Sequence, residues 1–180
     1  MISIPLRFER FADASVESIF RQVGVYVLWD DECTTAPAYI GQGMLLGRLG
    51  DHARNRYRFS GSIDGYMAVL GGCEKLRNPT LLATEGEEAP IVSQMALNAE
   101  SLLIQRAREI GISPRENVRR GVHKHLRSWC SAFGTVDIRI SGHDPLIHPS
   151  KSESVSDCLV VSASIMAGRI KLVQQRVAIA

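Results

Sequence analysis

The chain has 180 residues, 45% of them hydrophobic and 22% charged, with a formal net charge of +2. That is enough chain for one domain with a full core, or one domain with an appendage, and the composition is ordinary for a soluble globular protein. No apolar run approaches the 18 or more residues of a membrane helix, so a helical membrane protein is excluded and no membrane partner is expected. The opening Met1-Ile2-Ser3-Ile4-Pro5 is followed by Arg7, Glu9 and Arg10. This is not the layout of a signal peptide, and the cytoplasm is the expected compartment.

In chain order, Asp13 or Ser15 caps a short helix carrying Val16, Ile19, Phe20 and Val23 at helical spacing. Residues 23–29 are rich in β-branched and aromatic side chains and read as a strand. A polar connection ending at Pro37 leads to a second strand over 38–41. So short a connection predicts an antiparallel hairpin. Leu45, Leu49 and Ala53 mark a helix, and residues 66–70 a third strand closed by Gly71-Gly72. Residues 76–90 hold two prolines with Glu85, Glu87 and Glu88 and predict an exposed loop. Ser93 caps the clearest helix, 94–110, which stops at Gly111. A further helix is expected over 123–129, and strands over 136–140 and 158–177 with a turn at Ala167-Gly168. Residues 141–157 read as a loop or linker.

The charges are not evenly spread. Arg48, Arg54, Arg56 and Arg58 stand against Asp51 alone, and seven cations between Arg106 and Arg127 stand against Glu109 and Glu116. Two basic segments on a mildly acidic body suit a face offered to a polyanion. The alternative is two solvated helix faces. Cys33, Cys73, Cys130 and Cys158 are far apart and read as free thiols.

Several residues carry chemistry. Glu100 has Ala96, Leu97, Leu103 and Ile104 one turn away on either side, which puts a carboxylate on an apolar helix face. It must pair with an internal arginine or hold a hard cation such as Mg²⁺. Arg48 and His52 share one helix face, the first suited to bidentate phosphate binding, the second to proton transfer. Tyr26 and Tyr39 bring two phenols to adjacent strands. A phenol of pKa about 10 needs a nearby cation to act as a base, and Arg48 or a metal on Glu100 would provide that bias. Gly41-Gln42-Gly43 followed by Gly47 misses the dinucleotide-loop spacing, and His123-x-His125 is too tight for the usual zinc pair.

Gly24-Val25-Tyr26 and Tyr39-Ile40-Gly41, followed by Arg48, His52, Glu100 and Asn117, resemble the ordered signature of the GIY-YIG nuclease superfamily. The likeness covers roughly residues 20–120. It implies an α+β fold, a small antiparallel three-stranded sheet flanked by helices, forming a core over 1–120 that includes the N-terminal helix. Residues 121–180 would add a C-terminal extension of strands and a helix, of unknown role. The resemblance further implies a divalent-metal-dependent DNA endonuclease hydrolysing phosphodiester bonds at a single-metal site. Tyr26, Tyr39, Arg48, His52, Glu100 and Asn117 would be its catalytic set, with Mg²⁺ or Mn²⁺ on Glu100. Arg54, Arg56, Arg58, Arg115, Arg119, Arg120 and Lys124 would then meet the DNA backbone. The alternative is a nucleic-acid-binding module that keeps the fold without cutting.

Overall fold

The computed structural model describes residues 1–31, 33–54, 63–72, 92–117 and 124–178. Strand β1 spans Ile2–Arg10 and buries Ile4, Leu6 and Phe8 while Ser3, Pro5, Arg7 and Glu9 face outward, the period-2 pattern of a half-buried strand. A short helix, α1 (Val16–Ile19), starts where the Ser15 hydroxyl accepts from the Ser18 amide. Strand β2 (Gln22–Asp30) is buried on both faces from Val23 onward, as a strand with neighbours on either side and helices above and below must be.

Strand β3 (Tyr39–Met44) runs antiparallel along one side of β2 and continues directly into α2 (Leu45–Arg54). Strand β4 (Ile63–Gly72) lies antiparallel on the other side of β2. Helix α3 (Val92–Glu109) ends at Gly111, whose φ of 79° lets the Ile112 amide reach back to the Ala107 carbonyl at 2.9 Å. Helix α4 (Lys124–Phe133) leads to β5 (Thr135–Gly142), β6 (Val155–Met166) and β7 (Arg169–Ala178). The last two form a hairpin about Ala167 and Gly168, both at positive φ, as the two-residue turn that matches strand twist requires.

These strands make one seven-stranded mixed sheet of order β3-β2-β4-β1-β5-β6-β7. The expected three-stranded sheet is therefore corrected. The protein remains α+β, but the antiparallel unit β3-β2-β4 is one end of a larger sheet, and the C-terminal strands extend that sheet. The element missed in the sequence is β1, which joins the two halves: it pairs antiparallel with β4 through Glu9 and Arg10 and parallel with β5 from Ile2 to Phe8. Pro5 hid it. A proline has no N–H for a ladder and argues against a central strand. Here Pro5 sits where β1 has a strand partner on one side only.

Helices α3 and α4 cover one sheet face, packing Leu102, Leu103, Leu126 and Trp129 against Ile4, Leu6, Val25, Val27, Ile138 and Val161. Helices α1 and α2 cover the opposite face over β2–β4, where Ile19 and Leu45 pack with Tyr26, Leu28 and Met67. The β5–β6 connection docks on the first face. Trp29 Nε1 donates to the Pro145 carbonyl at 3.1 Å and Tyr66 Oη to the Ile147 carbonyl at 2.9 Å. Arg106 of α3 meets Asp144 through two buried hydrogen bonds of 2.8 and 2.7 Å. No helix of the described residues is long and apolar enough to cross a membrane.

Removing one partner of a buried ion pair strands the other charge without water, at a cost of about 3–5 kcal/mol. Asp144→Ala is expected to lower unfolding free energy on that scale in urea denaturation. Arg106→Leu combined with Asp144→Leu is expected to recover most of the loss.

Candidate functional site

The site begins with two glycines. Gly24 lies at the register shift between β2 and β4, where a Cβ would stand 2.1 Å from the Ala68 carbonyl oxygen and 2.9 Å from Leu45 Cδ1. Hydrogen in place of a side chain lets β4 and α2 close on β2. Gly41 faces Tyr26 directly across the β2–β3 ladder. A Cβ there would stand 2.5 Å from Tyr26 Cζ and Oη and 2.5 Å from Tyr39 Cε1. The gap at Gly41 is the space through which the Tyr26 ring crosses β3.

What Tyr26 reaches is α2. Its Oη lies 3.0 Å from His52 Nε2, with the rings edge-on at 5.6 Å. Tyr39, two residues from Gly41 and therefore on the same face, completes a triangle of rings, 6.1 Å from Tyr26 and 5.1 Å from His52. Leu45 is fully buried and anchors the start of α2, so Arg48 and His52, one turn apart, face back over the end of β3. Arg48 lies along Gly43, where a Cβ would stand 3.4 Å from its Nε.

Tyr26 is 1% exposed. Burial raises its pKa above the ordinary 10.0, reinforced by Tyr39, Glu100 and Asp51 and opposed by Arg48. Arg48, Glu100 and Asp51 thus all lie within electrostatic reach of one phenol. The bias runs opposite to the sequence expectation: one arginine does not outweigh desolvation, and the phenol keeps its proton. With a neutral imidazole, Tyr26 donates and His52 Nε2 accepts.

Glu100 is half-buried on α3, rather than sealed in the apolar face its neighbours implied. Ala96 and Leu103 are buried, Leu97 and Ile104 only partly. Asn117 does not point at the rings. Its Nδ2 donates to the Ile40 carbonyl at 2.8 Å and its Oδ1 accepts from the Ile40 amide at 2.7 Å. Since β3 is an edge strand, this carboxamide takes the place of a missing strand neighbour and holds the backbone beside Tyr39. The adjacent amides of Arg115 and Glu116 donate to Pro37 and Ala38 in the same manner.

Of the cations expected on DNA, Arg115 bonds the buried carboxylate of Asp30. Arg54 bonds Asp51 at 2.8 Å on the surface, where such a pair contributes little. Lys124 is exposed at the start of α4. Arg56, Arg58, Arg119 and Arg120 lie outside the described residues, as does Cys73. Cys33, Cys130 and Cys158 are free thiols. Asp51 is the member of the cluster that sequence reasoning passed over. Its position one residue before His52 was the available signal, but its charge was counted only against the arginines.

Among the described residues no three or more His, Cys, Asp or Glu side chains gather as a metal-binding group. The carboxylates within electrostatic reach of the Tyr26 phenol are Glu100 and Asp51, the latter bonded to Arg54. Such hard oxygen donors fit Mg²⁺, which takes few protein ligands and keeps several waters. They do not fit a zinc centre. No family model, curated protein or solved structure matches the chain.

Gly41→Ala is expected to displace the Tyr26 ring and cost about 1–3 kcal/mol, the scale of an overpacked core, read by thermal unfolding. Folding raises the Tyr26 pKa, so the folded chain holds this proton more tightly than the unfolded one. The stability this contributes is present below pH 10 and is lost as pH climbs beyond it. Tyr26→Phe should show a shallower alkaline loss than wild type in urea titrations above that pH.

Proposed function

We propose that the protein is a divalent-metal-dependent endonuclease that hydrolyses phosphodiester bonds in DNA. The observation that carries the reading is the hydrogen-bonded Tyr26–His52 pair, 3.0 Å apart, beside Tyr39 and within reach of Arg48 and Glu100. An imidazole acceptor, two phenols and a permanent cation on one sheet face, with the Glu100 carboxylate of α3 within electrostatic reach, form an acid–base and anion-binding set rather than a packing cluster.

In this reading the scissile phosphate lies over the Tyr26–Tyr39–His52 triangle. Arg48 binds its non-bridging oxygens and stabilises the charge that builds on them in the transition state. An attacking water sits on Tyr26 Oη. As the water oxygen bonds to phosphorus, its proton passes to Tyr26 Oη, and the phenol's own proton passes to His52 Nε2. This relay suits a phenol that stays protonated, since it never needs a standing phenolate. The P–O bond to the leaving nucleoside breaks, and that oxygen takes a proton from solvent. Tyr39 packs against His52 and offers its hydroxyl to a phosphate oxygen. Asn117 fixes the β3 backbone that carries Tyr39. Glu100 would hold Mg²⁺, which when bound supplies charge neutralisation at the phosphate and at the leaving oxygen.

Arg48→Ala is expected to lower the nicking rate on supercoiled plasmid by about 10²–10³-fold, the scale of a lost oxyanion donor. Duplex binding measured in EDTA should change far less. A rate equal to wild type would remove Arg48 from the phosphate and the mechanism with it.

A further inference from the structure

The proposed site occupies only one end of its sheet face. Along the rest of that face the outward residues Pro5, Arg7 and Glu9 of β1, Arg139 of β5 and Val173, Gln175 and Val177 of β7 are exposed. Strand register lays out the side chains in rows. Thr135, Ser164 and Lys171 stand side by side, as do Arg139, Val160 and Gln175, with Arg169 opposite Met166 at the hairpin end. Arg176, paired with Leu159, lies on the other face of β7.

The charge on this surface is one-sided. From Cys158 to the last residue the sequence has no aspartate or glutamate, yet on this face it carries Arg169 and Lys171. Neither of these two, nor Arg139, makes an ion pair among the described residues. The acids at the outward positions of β1 and β5 are Glu9, held to Arg7 at 3.9 Å, and the half-buried Asp137. Between the cations stand the hydroxyls of Thr135, Ser162 and Ser164, groups that donate readily to phosphate oxygens. Arg169 and Lys171 are two residues apart on a strand, a repeat of about 6.8 Å, twice the 3.4 Å axial rise per phosphate of a DNA strand. The same cations keep the β7 edge from pairing with another copy of itself.

We propose that the outward face of β5–β6–β7 binds the sugar–phosphate backbone of duplex DNA, with Arg139, Arg169 and Lys171 as its phosphate contacts. The choice of DNA as the polyanion rests on the nuclease reading. The surface itself is argued from charge and exposure and is testable without cleavage. It assigns to the C-terminal strands the task of holding DNA along the face on which Tyr26 and His52 lie.

The test is fluorescence anisotropy of the full chain with a labelled 30-base-pair duplex, in EDTA, across a salt series. Arg139→Gln, Arg169→Gln and Lys171→Gln together should weaken binding at least tenfold at low salt. They should also reduce the slope of log K against log salt by about 0.9 per lost phosphate contact, about 2.7 in all. Each single variant should reduce it by about 0.9. Arg21→Gln, an exposed cation elsewhere, should leave it unchanged. An unchanged slope in the triple variant overturns the proposal, as does an equal loss in Arg21→Gln, failure of the wild type to bind, or preference for an RNA duplex. If the triple variant does not fold, the single variants decide. Plasmid nicking is scored separately. Lost nicking with charge-dependent binding intact refutes the nuclease and supports the surface, whereas nicking with no change in slope does the reverse.

Discussion

The arrangement of the site depends on a missing side chain. Opposite Tyr26, on the edge strand, Gly41 leaves a gap that a single carbon would close, because that carbon would overlap both Tyr26 and Tyr39. Through the gap the Tyr26 ring crosses from a buried central strand to the helix that follows the edge strand, where His52 meets its hydroxyl. Gly24 does the complementary work from below by letting β4 and Leu45 approach β2 closely. Both tripeptides thus have a mechanical meaning apart from any resemblance. Each pairs a tyrosine with the glycine whose bareness positions it or its partner.

Around this contact the sheet acts as a frame. Tyr39, Gly41 and Gly43 alternate onto one face of β3, and α2 begins as the strand ends, so Arg48 and His52 return over the same face within three turns. An edge strand is the least constrained part of a sheet, and Asn117 compensates by bonding both backbone groups of Ile40. Behind it, the buried Arg106–Asp144 pair and the Trp29 and Tyr66 hydrogen bonds fasten the β5–β6 connection to the opposite face. The C-terminal strands and the site-bearing strands are therefore parts of one sheet, joined by β1.

Much of the local structure was legible in the sequence, because the signals are local. The β-branched run of β2, the glycine stop after α3 and the Ala167-Gly168 turn each depend on residues within a few positions. Assembly was less legible. The alternation of Ile4, Leu6 and Phe8 was present, but Pro5 masked it, and nothing near residue 5 announces a parallel partner beginning at residue 135. The site was legible as residue types and spacing, and less so as energetics. The apolar neighbours of Glu100 implied deep burial, while packing leaves it at the rim. The arginine near Tyr26 implied a lowered pKa, while desolvation raises it. Arg115 was read as a surface cation because Asp30, its partner, lies 85 residues away. In each case the deciding term is tertiary, and a one-dimensional pattern does not contain it.

The central claim is that these side chains form a hydrolytic centre that uses a divalent ion. The most direct test is nicking of supercoiled plasmid by wild type and Glu100→Gln, each with Mg²⁺ and with EDTA, at matched DNA occupancy. Cutting is expected from the wild type alone and only with Mg²⁺. Equal, Mg²⁺-dependent cutting by Glu100→Gln, or cutting by the wild type in EDTA, would contradict the claim.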